Sequence, residues 1–117
     1  MNKRQVGSEK EVKVRKYLED RGYRIYEMNY RCRQGEIDII AQDEKYLVFV
    51  EVKYRRITEH GFPEEAVDVR KQRRICKAAR YYMYCHGMNE YTPVRFDVAG
   101  VLSDEITYTE NAFEWVL

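Results

Sequence analysis

Two carboxylates and one lysine stand where they could do chemistry together. Asp38 lies in GEIDIIAQ (35–42), and Glu51 and Lys53 lie in YLVFVEVKY (46–54). Both stretches are rich in β-branched and aromatic residues and read as strands. Asp43, Glu44 and Lys45 supply the turn, with Glu44 and Lys45 at its tip. A tight turn there sets Asp38 opposite Glu51, and Glu36 opposite Lys53. Alternation then separates two faces. One carries Ile37, Ile39, Ala41, Val48, Val50 and Val52. The other begins with Ile40, Leu47 and Phe49 and turns ionic at Asp38, Glu51, Glu36 and Lys53. Directly opposed side chains have Cβ atoms ~4.5–5.5 Å apart, and like charges so placed destabilise a sheet. Such carboxylates protonate or repel unless a cation stands between them. Mg2+ suits the position, because it takes oxygen ligands and keeps several waters. Lys53 could hold or activate a water, or stabilise charge developing on a phosphate. The plain alternative is a solvated sheet face with one salt bridge. Against it, both strands are long and apolar enough to be central.

A helix over residues 3–21 could bring a third carboxylate. Val14, Tyr17, Leu18 and Arg21 recur at helical spacing, and Gly22 follows as a left-handed stop. Glu11 falls on the stripe of Val14 and Leu18, whereas Glu9 falls off it. A glutamate on a buried stripe wants a partner, and Glu11 could add a metal contact at the hairpin. The competing reading keeps it wet in the first turns, where its charge favours the helix dipole.

Further elements must frame this site. Residues 23–28 alternate as a strand, and the polar, basic stretch Asn29 to Gln34 reads as a loop. Arg55 to Phe62 lacks periodicity. Pro63, with Glu64 and Glu65 after it, suits the first turn of a helix running to about His86, with Gly87 as its stop. Val94, Phe96 and Val98 form another strand. Ile106 to Thr109, with Phe113 to Val116, form a final strand or hairpin. The order α-β-β-β-α-β-β makes one α/β (α+β) domain over residues 1–117, without repeats or linkers.

With 44% hydrophobic and 35% charged residues in 117, the chain is globular rather than disordered. Its net charge of +1 neither demands nor excludes nucleic acid. No apolar run approaches the ~18–20 residues of a membrane span, and MNKRQVGSEKEV lacks a signal peptide's apolar stretch. A cytoplasmic protein is expected. Cys32, Cys76 and Cys85 show no CxxC spacing, which argues for reduced thiols, with Cys76 packed in a helix. His60 and His86 are isolated and read as surface or packing residues.

Basic residues gather near the acidic ones. Arg31 and Arg33 precede the first acidic strand, and Lys53, Arg55 and Arg56 end the second. Arg70, Lys71, Arg73, Arg74, Lys77 and Arg80 stud the second helix. Such clusters can neutralise phosphates, although a charge run is commonly a solvated face. Gln72 shares a stripe with Val69, Cys76 and Ala79, so it could orient a site residue or touch a substrate backbone. Tyr81, Tyr82 and Tyr84 could stack on bases, cover a dimer surface, or simply pack.

Asp38, a twelve-residue gap and Glu51-Val52-Lys53 resemble the PD-(D/E)xK nuclease signature. A longer series is more specific: GSEKE (7–11), YLEDRGYRI (17–25), Asn29, GEIDIIAQD (35–43), LVFVEVKYR (47–55), GFPEEAV (61–67), RKQRR (70–74) and RFDV (95–98). In that order, and over almost the whole chain, they resemble the YraN-type family. Its members are described as predicted endonucleases similar to archaeal Holliday junction resolvases. The resemblance implies a restriction-endonuclease-like αβββαβ core, with a central mixed sheet flanked by helices. It implies Mg2+ or Mn2+ on the central hairpin, held by Asp38, Glu51 and the helical Glu11, with Lys53 assisting. It also implies nucleic acid as partner, DNA before RNA, and a homodimer. Arg31, Arg33, Arg55, Arg56, Lys71, Gln72 and Arg74 are the candidate nucleic-acid contacts. The family often has Gly before the helical glutamate, where Lys10 stands here. Three functions are carried forward: a metal-dependent endonuclease for branched or structured DNA, a non-catalytic nucleic-acid-binding protein of the same fold, and a protein-interaction module with an acidic face.

Overall fold

Helix α1 (Lys3–Asp20) closes on Gly22, which adopts φ 89°. The Gly22 and Tyr23 amides donate to the Glu19 and Leu18 carbonyls, each at 3.0 Å, a closure that needs a left-handed residue. Tyr23 and Leu18 then share one core cluster. Arg21 stacks on Tyr17, 3.4 Å from the ring centroid.

The computed structural model describes residues 3–54 and 67–116, with side chains from residue 9 onward. Strands β1 (Arg24–Cys32), β2 (Gly35–Asp43) and β3 (Tyr46–Tyr54) follow α1. Helix α2 (Val69–Cys85), β4 (Val94–Leu102) and β5 (Glu105–Phe113) complete the chain. One sheet holds all five strands in the order β1-β2-β3-β4-β5. β3 and β4 run parallel; the other neighbours are antiparallel. Val14 and Leu18 of α1 pack on Ile39, Ala41, Val48 and Val50. Ile75, Cys76 and Ala79 of α2 pack on Ile40, Leu47 and Phe49, on the opposite face. The result is a restriction-endonuclease-like α+β core whose β2–β3 hairpin lies between the helices. Among the described residues, no helix is long and apolar enough to cross a membrane.

Several element boundaries differ from the sequence reading. The strand expected over 23–28 continues to Cys32, and only Arg33 and Gln34 form the turn to β2. β1 is an edge strand, and the polar, basic residues Asn29, Arg31 and Arg33 mask the alternation of Met28, Tyr30 and Cys32. Helix α2 begins at Val69, not at Pro63. Asp68 caps it, its carboxylate accepting from the Lys71 amide at 2.9 Å, as short polar side chains do at helix starts. Pro63, Glu64, Glu65 and His60 lie outside the described residues. Phe113 ends β5, and Glu114 to Val116 add no further strand.

Cys76 is fully buried in α2, and Cys32 and Cys85 are also free thiols. Tyr82 fills the core between Tyr30 and Phe49, whereas Tyr81 and Tyr84 face solvent. His86 packs on Tyr82, ring centroids 4.0 Å apart.

An ionic group inside the sheet had no counterpart in the sequence reading beyond the RFDV match. Asp97 is 0% exposed and Arg95 8%. Arg95 donates to Asp97 through Nε (3.0 Å) and Nη2 (2.9 Å), and through Nη1 to Asp43 (3.0 Å). Asp97 also accepts the Tyr108 hydroxyl (2.6 Å) and the Asn111 amide (2.9 Å). Asn111 has φ 51° beside a bulge in the β4–β5 pairing, which aims its amide inward. This node ties β2, β4 and β5 together.

Candidate metal and nucleic-acid site

The β2–β3 register follows from the two-residue turn at Glu44 and Lys45. Asp43 pairs with Tyr46, and the ladder runs to Ile39 opposite Val50. There the pairing ends. Asp38 accepts the Val52 amide on its own carboxylate at 2.8 Å.

A twist explains the break. Met28 and Ile39 pair and face α1, while Tyr30 and Ile37 pair and face α2. Residues two apart in a strand normally share a face, so both strands change face at Asn29 and Asp38. Asn29 has φ 54°, a left-handed value that asparagine tolerates better than most residues. Ile37 therefore leaves the face assigned to it from alternation and joins the α2 cluster. The same twist leaves Asp38 within the fields of groups from both helices.

From the α2 side come Glu51 and Lys71. Glu51 is 7% exposed, and Lys71 Nζ lies 2.8 Å from its Oε1. Burial, and then the Asp38 charge, push the Glu51 carboxyl up to about 7 against the pull of Lys71. Asp38 is also raised by burial, opposed by the Val52 amide and the Lys71 charge. From the α1 side comes Glu11. It is half-buried, and raised by burial and then by the Asp38 charge. Lys10 turns away, its Nζ 5.9 Å from the Tyr54 ring centroid and 3.4 Å from the Ser103 carbonyl oxygen. Lys53 stands two residues beyond Glu51 on β3, half-buried and in register with Gly100.

Asp38 on β2 and Glu51 and Lys53 on β3 thus lie at one end of the hairpin, with Glu11 of α1 within the field of Asp38. Among the described residues, no three His, Cys, Asp or Glu side chains gather into a metal-ligand set. Two carboxylates without a third ligand suit an ion that keeps most of its waters, such as Mg2+ or Mn2+. They do not suit a closed zinc site. Both carboxyls are raised by burial, and Glu51 also by the Asp38 charge, so the pair is short of positive charge, which a divalent ion would supply.

The basic candidates divide. Arg31, Lys71 and Arg74 line a cleft of about 320 Å³ next to the acidic pair, together with Glu36 and Gly35. Arg31 Nε is 3.3 Å from Glu36. Gly35 lets the β1–β2 turn lean on α2: a Cβ there would lie 3.0 Å from the Arg74 carbonyl oxygen. Arg33 is exposed in that turn. Gln72 is occupied locally, its amide donating to the Val67 carbonyl at 2.8 Å. Arg55 and Arg56 lie outside the described residues. Lys71, one of the candidate nucleic-acid contacts, lines the cleft and also pairs with Glu51. A signal for this existed: Lys71 lies one turn before Ile75 on the buried stripe of α2.

Fold and hairpin define a restriction-endonuclease-like α+β protein. A family model described as "Uncharacterised protein family UPF0102" matches residues 10–101. A UPF0102 protein of Lachnoclostridium phytofermentans is 53% identical, covering 97% of each chain. UPF0102 proteins of Persephonella marina (43% identical, 92% of each chain) and Fusobacterium nucleatum (42% identical, 95% of this chain and 92% of the relative) are also similar. The chain belongs to the UPF0102 family, which is the YraN-type family its motifs resemble.

Proposed function

We propose that this chain is a Mg2+- or Mn2+-dependent endonuclease that hydrolyses phosphodiester bonds in branched or structured DNA. The observation that carries the reading is the pair of buried Glu51 and half-buried Asp38 beside a basic cleft. Asp38 and Glu51 would hold the ion, with Glu11 at their flank. Once bound, the ion supplies Lewis-acid activation and offsets phosphate charge. Asp38 is fixed for this by the Val52 amide. Lys53, on the face of Glu51, would orient the attacking water or stabilise the charge that develops as the bond breaks. Arg31 and Arg74, on the cleft wall, would hold the strand through its phosphates. The acidic-docking reading fits less well. It needs a solvated acidic face, whereas Glu51 is buried and the accessible surface beside it is basic.

The test uses labelled four-way junction, flap, single-strand and duplex DNA with Mg2+ or Mn2+, with Asp38→Ala and Glu51→Ala proteins alongside. Cleavage of at least one structured substrate, lost in both variants, is expected. Variants that cut as fast as the parent would remove these residues from the chemistry. Binding without cleavage by every protein would leave the nucleic-acid-binding function.

A further inference from the structure

Lys71 belongs to two environments at once. Its ammonium lies 2.8 Å from the buried Glu51, and its side chain also forms part of the cleft wall with Arg31 and Arg74. The side chain is 45% exposed, so its four-carbon stem has room to swing. We propose that Lys71 is a displaceable counter-ion, which neutralises Glu51 until a divalent cation binds there and then turns into the cleft to hold a nucleic-acid phosphate with Arg31 and Arg74. The inference rests on the reading that Asp38 and Glu51 hold such a cation.

Three observations carry it. An ammonium and a divalent cation repel strongly when both contact one poorly solvated carboxylate, so they compete for Glu51. The cleft offers the displaced amine an anion site: Arg31, Lys71 and Arg74 face one carboxylate, Glu36, which is already paired with Arg31. Finally, Arg74 follows Lys71 by three positions on α2, which puts both on one side of the helix. Metal and phosphate binding are then linked, because the charge the metal displaces is the charge the phosphate needs.

The test has a metal arm and a strand arm. Mn2+ binding is titrated by calorimetry at pH 8.5 without nucleic acid, on the full wild-type chain, Lys71→Met and Asp38→Ala. Removing the competitor should tighten Mn2+ binding about tenfold in Lys71→Met, and Asp38→Ala should bind none. Junction DNA binding is then followed by fluorescence anisotropy across a salt series, in Ca2+ and in EDTA. In Ca2+ the slope of log affinity on log salt should be shallower for Lys71→Met by ~0.9, one phosphate contact. In EDTA the slopes should coincide. A third measurement uses only the wild-type protein. Acylation of Lys71 by an N-hydroxysuccinimide ester, read by mass spectrometry, should rise severalfold with Ca2+ and fall again when DNA is added.

Equal or weaker Mn2+ binding by Lys71→Met overturns the proposal, as do slopes that differ equally in Ca2+ and EDTA, or acylation indifferent to Ca2+. If the wild type binds Mn2+ and Asp38→Ala does not, such a result removes Lys71 alone. If the wild type binds no Mn2+, the metal site falls and this inference falls with it.

Discussion

Replacing Glu51 by Gln should change how stability depends on pH. In the folded chain the Glu51 carboxyl is raised from 4.5 to about 7, chiefly by burial and then by Asp38. Between those values the folded protein keeps a proton that the unfolded chain has released. Stability is therefore full below about pH 4.5 and falls as pH rises to about 7. At about 1.4 kcal/mol per pH unit, the span amounts to a loss of about 3 kcal/mol. Asp38 is raised as well and acts in the same direction. Gln cannot ionise, so the variant escapes the loss. Urea unfolding in EDTA at pH 4.5 and pH 8.5 measures the effect. The unfolding free energy of Glu51→Gln relative to wild type should rise by about 3 kcal/mol between them, a midpoint gain of roughly 1–3 M urea. Mn2+ at pH 8.5 should largely cancel this gain, since a hundredfold excess over Kd stabilises the wild type by about 2.7 kcal/mol. A pH-dependent difference under about 1 kcal/mol would refute a Glu51 carboxyl raised by burial and by Asp38.

Other perturbations probe the surroundings. Asp97→Asn should cost about 3–5 kcal/mol in urea unfolding, because it leaves the buried Arg95 without its paired carboxylate; a cost under 1 kcal/mol would mean the node contributes little. Gly35→Ala should lose about 1–3 kcal/mol, since its φ of 157° and the 3.0 Å approach to Arg74 leave no room for a methyl group. Its DNA affinity should drop as well, as the turn moves off α2. Glu36→Gln releases Arg31 and should steepen the salt dependence of DNA binding by ~0.9; a shallower slope would place Glu36, not Arg31, in control of the strand.

The central hairpin was legible because its rules are local. A two-residue turn sets the register by counting, and β-branched residues mark both strands. The first helix and its closure at Gly22 were legible for the same reason. β1 was half-visible, since Asn29, Arg31 and Arg33 make its second half look like a polar loop although Met28, Tyr30 and Cys32 alternate there. The start of α2 was misplaced because proline and glutamates suit a first helical turn, and only tertiary structure shows that Asp68 is the cap.

The site departs from the sequence reading in a more instructive way. Alternation assumes a strand keeps its faces, and by that rule Asp38 and Glu51 stand opposed on a regular ladder. The ladder instead ends at Ile39 and Val50, and both β1 and β2 turn over at Asn29 and Asp38. No composition signal marks that turn; one left-handed asparagine accompanies it. Yet the turn brings the α1 glutamate and the α2 lysine into the field of the same aspartate. On a regular strand, Asp38 would point to one helix only. The irregularity that defeats period-two reasoning is thus what assembles groups from both helices around Asp38. The partner of Lys71 was less legible than its place on the buried stripe: Glu51 lies on β3, and spacing along a helix does not record neighbours on a strand.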